Sequence, residues 1–232
     1  MENIDQTNLQ TQARTAGLLY LAIICLGIWS EGFVRSAMIM TGEPAATVAN
    51  IIQGETIFRM SVAADSLMAI CDVALAILLY TLLKPVNATL SLMAAAFRLV
   101  QSAILGMNLL NQFFAVLILN APQSNTGLDS GQANALAGLF LDAHSHGYDF
   151  GLLFFGINCL LVGYLIYRSG FLPRIFGPLL GLAGVVYLSG SYLRILAPVY
   201  AELFSPAYLV PLVAESLFCL WLLIKGVDVA KR

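Results

Sequence analysis

The chain has little charge. Asp, Glu, Lys and Arg make up 10 % of its 232 residues, against about 25 % in soluble domains. A soluble globule of this size could not cover its surface with so few, so a soluble enzyme and a disordered chain are excluded. There is no basic stripe either. Eleven Lys and Arg against thirteen Asp and Glu give a net charge of −2, which excludes a binder of nucleic-acid backbones. Paired cysteines are lacking as well: Cys25, Cys71, Cys159 and Cys219 lie singly in apolar runs, with no CxxC or Cys/His spacing. They read as small buried hydrophobes rather than a disulfide or metal framework. The polar N-terminus, Met1 to Arg14, carries Glu2 and Asp5 and lacks the positive n-region of a signal peptide. No lipidation motif is present at either end.

What is present is long apolar sequence, 59 % hydrophobic in all. A membrane-spanning helix needs about 20 mostly apolar residues. Six runs qualify: 15–34, 58–83, 89–119, 145–167, 172–193 and 208–227. Only helices satisfy their backbone groups within one such segment, and the alternation of a β-barrel is missing. The expected fold is an all-α polytopic membrane bundle of six transmembrane helices. Its expected organisation is a polar N-terminus (1–14), a single membrane domain (15–227) and a short C-terminus (228–232). Seven cations (Arg14, Lys84, Arg168, Arg174, Lys225, Lys231 and Arg232) fall on the side of the termini and three (Arg35, Arg59 and Arg194) on the other. This bias predicts cytoplasmic termini. The outer connections 43–55 and 129–143 carry apolar residues at helical spacing. Each is expected to be an interfacial helix, a loop or an extension of the next span.

Depth then selects residues, because ionisable side chains at mid-membrane cost about 2.5–3.5 kcal/mol each on insertion scales. The second and third runs form a hairpin about Lys84–Val86. Asp72 and Arg98, whose numbers sum to 170, fall at equal depth. They are expected to form a buried ion pair that fixes helix register, with an anion shared by Arg98 as the functional alternative. Asp65 shares a face with Asp72, seven residues on, and with Ser61. The two acids are separated by about 10 Å along the axis, too far to bind one ion. Arg98, Gln101, Asn108 and Gln112 form a polar stripe suited to interhelical hydrogen bonds. His144 and His146 point about 200° apart on a helix. Asp142, His146 and Asp149 share one face, but no standard metal spacing occurs and no metal is assigned. Glu31, Arg59, Asp65, His144, His146, Asp149 and Arg194, with Arg35 nearby, lie at or near the outer boundary and form a candidate polar pocket. Glu215, mid-span in the sixth run, is the candidate intramembrane acid. Gly177, Gly181 and Gly184, and Gly147 with Gly151, mark close helix contacts.

Several strings carry a resemblance: Phe58-Arg59, Cys71-Asp72, Leu82-Leu83-Lys84-Pro85-Val86-Asn87, Phe97-Arg98-Leu99-Val100-Gln101, Asn108-Leu109-Leu110, Phe154-Phe155-Gly156, Leu172-Pro173-Arg174 and Ala214-Glu215. Over nearly its whole length the chain resembles the bacterial multi-pass membrane-protein family catalogued as domain of unknown function 4386. The resemblance implies a multi-pass protein of a bacterial inner membrane and brings no catalytic role, so the enzyme question and the cofactor stay open. The expected partner is the lipid bilayer, with no nucleic acid; the oligomeric state is unassigned. The leading functional expectation is a protein that binds a small molecule, lipid or partner through the outward polar pocket. The alternatives are an intramembrane hydrolase, with a metal or an acid/base pair among Asp65, His144, His146, Asp149 and Glu215, and a proton- or ion-coupled carrier using Asp72, Arg98 and Glu215.

Overall fold

A computed structural model describes residues 2–40, 42–124 and 127–228. Among these residues every regular element is helical, and six helices are long and apolar enough to cross a membrane: Thr7–Met38, Glu55–Leu83, Ala88–Leu119, Ser130–Ser169, Phe176–Leu196 and Pro198–Ile224, the first to sixth spans. The fourth starts well before the apolar run that marks it. Asp129 and Gln132 cap it reciprocally, the Gln132 N–H donating to Asp129 Oδ1 at 2.9 Å and the Asp129 N–H to Gln132 Oε1 at 3.2 Å. This capping box lets the helix begin in polar sequence. The connection 129–143 is thus mostly an extension of the next span, whereas 43–55 contains a separate helix, Pro44–Gln53, with Pro44 in its first turn. Contacts gather into two compact units, described separately: unit one (Met1–Ile23, Ile70–Ser102 and Asp149–Arg232) and unit two (Ile24–Ala69 and Ala103–Tyr148).

In unit one, glycines set how closely helices approach. A Cβ on Gly163 would lie 2.6 Å from the Gly177 carbonyl oxygen, and one on Gly184 2.6 Å from that of Gly156. The fourth and fifth spans therefore meet backbone to backbone, as small-residue stripes permit. Gly17 does the same against the Leu223 backbone of the sixth span. The ends are tied there too: Gln10 Nε2 donates to the Lys225 carbonyl at 2.7 Å, and the Val227 N–H donates to Gln10 Oε1 at 3.1 Å. Near the tight turn joining the second and third spans, the Ser91 hydroxyl donates to the Tyr80 carbonyl at 3.0 Å. Asn158 donates to the Ala94 carbonyl at 2.8 Å, tying the fourth span to the third.

In unit two, Val48 and Ile51 of the short helix are buried with Phe58, Ala115, Val116, Leu119, Ala137 and Leu141. Ile52, on the other face, is exposed. The first span is not a regular α-helix throughout. Residues Ile28–Arg35 form a π-helix, whose i→i+5 bonding gives each turn an extra residue.

Candidate functional site

Unit one holds a polar group buried among apolar helices. Arg98 meets Asp72 through two nitrogens, Nε at 2.8 Å and Nη2 at 2.5 Å, both on Oδ1. The Ser102 hydroxyl donates to Asp72 Oδ2 at 2.6 Å. Both charged residues are at most 4 % exposed. The guanidinium carbon also lies 5.2 Å from the Tyr20 ring centre and 5.0 Å from that of Phe155. Aromatic faces are electronegative, so this contact offsets part of the cation's desolvation.

Tyr20 reaches further. Its hydroxyl donates to Glu215 Oε2 at 2.7 Å, and the Tyr187 hydroxyl donates to Oε1 at 2.5 Å. The Glu215 carboxyl group, on the sixth span, is thus held by hydroxyls from the first and fifth. One continuous set of contacts runs Tyr187–Glu215–Tyr20–Arg98–Asp72–Ser102. Beside Arg98 a cavity of about 10 Å³, close to the minimum that holds one water, is lined by Arg98, Ser91, Tyr80 and Asn158 among apolar residues. At another place in the unit, Arg194 Nη1 pairs with Asp149 Oδ2 at 2.9 Å.

The remaining candidate-pocket residues lie in unit two, in three groups. In the first, buried Asp65 accepts hydrogen bonds from the Ser30 hydroxyl and, at 2.5 Å, from Arg35 Nη1. Arg35 Nε turns to exposed Glu31 at 2.6 Å. The π-helix explains how one carboxylate reaches both residues. Five α-helical residues advance about 500°, leaving Ser30 and Arg35 roughly 140° apart. One i→i+5 turn brings them towards one face. In the second group, Arg59 pairs with Glu55 at 2.6 Å, and Asn120 donates to the same carboxylate. In the third, His144 is buried, with Nδ1 3.2 Å from the Asn108 carbonyl and Nε2 2.8 Å from Gln112 Nε2. The ring thus has a polar partner at each nitrogen, the Gln112 amide on one side and the Asn108 carbonyl on the other. The Asn108 amide returns a bond to the His144 carbonyl at 2.8 Å. His146 is exposed.

Asp65 and Asp72 thus each have their own arginine, and Ser61 donates to the Phe58 carbonyl instead of to Asp65. Among the described residues no three His, Cys, Asp or Glu side chains gather as metal ligands. Sequence reading did not single out Tyr20, Tyr187, Ser102 or Ser30. A signal existed for the tyrosines: a phenol deep in an apolar run needs a hydrogen-bond partner.

The family described as domain of unknown function (DUF4386) matches residues 15–226. A protein of Archaeoglobus fulgidus, named "Uncharacterized protein", is 30 % identical over 165 residues, covering 69 % of this chain and 80 % of that one. No solved structure matches. The chain belongs to the DUF4386 family.

Proposed function

We propose that this DUF4386 protein is a multi-pass membrane protein, with both termini cytoplasmic, that exchanges a proton at Glu215 and couples that change of charge to the movement of a small solute. One observation carries the reading: the buried polar group of unit one holds two carboxylates and one guanidinium. Asp72 takes two hydrogen bonds from Arg98. Among the described residues, the hydrogen bonds to the Glu215 carboxyl group come from neutral hydroxyls. With Glu215 ionised the group carries one net negative charge; with Glu215 protonated it is neutral. A lone charge in hydrocarbon costs several kcal/mol, so proton occupancy of Glu215 is the least costly change of state available to this core. Tyr20 touches both Glu215 and Arg98, so a change at one is felt by the other.

The outward polar pocket is less well supported. Its residues lie in both units, and most are engaged with one another or with neighbouring side chains. The location in a cell membrane of a bacterium or archaeon belongs to this same proposal.

The experiment is reconstitution into liposomes containing a trapped pH dye, with an imposed membrane potential, comparing the wild type with Glu215→Gln. Infrared difference spectra of the carboxyl stretch would follow Glu215 directly. The wild type should pass protons and show a titrating carboxyl band, and both signals should disappear in the variant. An unchanged proton flux in Glu215→Gln, or a carboxyl band that never titrates, refutes the proposal.

A further inference from the structure

We propose that one end of unit one binds the phosphate group of an anionic phospholipid, with Arg168 as the recognising residue. Two connections meet there, the tight turn after the second span and the loop after the fourth. Between them lies a groove of about 270 Å³ lined by Pro85, Val86, Arg168, Ser169 and Phe171. This is many times the space that one water needs, ample for a phosphate group.

The donors in the groove can be counted. The Ser169 hydroxyl is already committed, donating to the Ile166 carbonyl at 2.8 Å and accepting from the Leu172 N–H at 3.3 Å. Arg168 is exposed and has no carboxylate partner among the described residues. A guanidinium presents paired donors that match a phosphate in bidentate fashion. Lys84 and Arg174 are exposed on the same two connections, and the Lys84 ammonium lies 5.7 Å from the Tyr80 ring centre. One acid stands by the loop: the Asp228 N–H donates to the Phe171 carbonyl at 3.0 Å. The described charges on the two connections and Asp228 therefore leave a positive excess.

The setting favours a lipid over a free anion. The groove lies at helix ends, where headgroups sit, and basic pockets between transmembrane helices hold anionic headgroups. Tyr164 and Tyr167, in the last turns of the fourth span, are more than half exposed, as is Ile175 after Arg174. Exposed tyrosines at span ends mark the interfacial level, and Ile175 offers an apolar surface for an acyl chain. None of these residues belongs to the Glu215 group, so the inference stands apart from the proton proposal.

The test uses full-length protein, delipidated in detergent and titrated with phosphatidylglycerol or phosphatidylcholine, with bound lipid counted by native mass spectrometry. The wild type should prefer phosphatidylglycerol. Arg168→Gln should weaken that binding about tenfold or more, as expected for losing charge-assisted bonds, and Arg168→Lys should fall between. Unchanged thermal stability of the variants would show that they fold. Equal binding of the two lipids, or full retention by Arg168→Gln, overturns the inference. So does inorganic phosphate binding as tightly as the lipid and displacing it, which would mark a site for free anions.

Discussion

Removing Arg98 tests the charge balance of the buried group. In Arg98→Met, Asp72 loses the bonds at 2.8 Å and 2.5 Å and keeps only that from Ser102. Breaking a buried ion pair by deleting one partner costs about 3–5 kcal/mol. The contacts of the cation with Tyr20 and Phe155 disappear as well, each worth up to about 2 kcal/mol when desolvated; methionine restores part of that packing. The variant core holds two carboxylates and no cation.

Asp72→Asn is a different perturbation. It leaves Arg98 and Glu215 as one cation and one anion, both in contact with Tyr20. Its cost is the weakening of charge-assisted hydrogen bonds, about 1.5–3 kcal/mol. The expected order is therefore Arg98→Met more destabilising than Asp72→Asn, with the double variant milder than the sum of the two. Neighbours in one network couple by about 0.5–3 kcal/mol. The assay is unfolding by titration of a denaturing detergent into a mild one, run on the wild type, both single variants and the double. Additivity within about 0.5 kcal/mol would show that the two residues do not form an energetic unit. Asp72→Asn costing as much as Arg98→Met would show that Glu215 does not share their charge balance, and would weaken the case for it as the proton site.

Other outcomes follow from the same contacts. Arg35→Met leaves Asp65 buried with only Ser30 and should cost about 3–5 kcal/mol, whereas Glu31→Gln alters a partner whose side chain is 70 % exposed and should cost at most about 1 kcal/mol; detergent unfolding compares the two. Gly184→Ala forces a methyl group to within 2.6 Å of the Gly156 carbonyl and should destabilise by about 1–3 kcal/mol. Gly106→Ala, with nothing within 4 Å of its Cβ, should be neutral or stabilise by about 0.4–1 kcal/mol, so similar shifts in melting temperature for the two would refute the packing argument. Gln112→Leu removes the hydrogen-bond partner of His144 Nε2 and leaves the buried ring nitrogen unsatisfied, for a loss of about 1–3 kcal/mol measurable by thermal unfolding.

The six helices were legible because a hydrocarbon core imposes a minimum apolar length, and only helices satisfy their own backbone there. The early start of the fourth span was hidden because its first turns are polar and rest on the Asp129–Gln132 cap. The juxtaposition of Asp72 and Arg98 could be counted from a short turn, since antiparallel neighbours of equal rank about it share a depth. Tyr20 and Glu215 are 195 residues apart in sequence. No short turn sets their register, and sequence pattern does not say which helices touch.

Ser30, beside Arg35 and Asp65, escaped sequence reading for a different reason. Residues five apart do not share an α-helical face, so a search for polar stripes at spacings of three, four and seven passes over Ser30 with Arg35. Only a local change of helix type makes them neighbours. The π-helix is uncommon and tends to occur where a site demands it, and here it presents a hydroxyl and a guanidinium to one buried carboxylate. Helix form and ion pairing thus depend on each other. If Asp65→Asn weakens the hold on Arg35, the same eight residues lose a reason to stay in the wide turn. Backbone hydrogen exchange across Ile28–Arg35 should then change more than exchange in the regular helix before it.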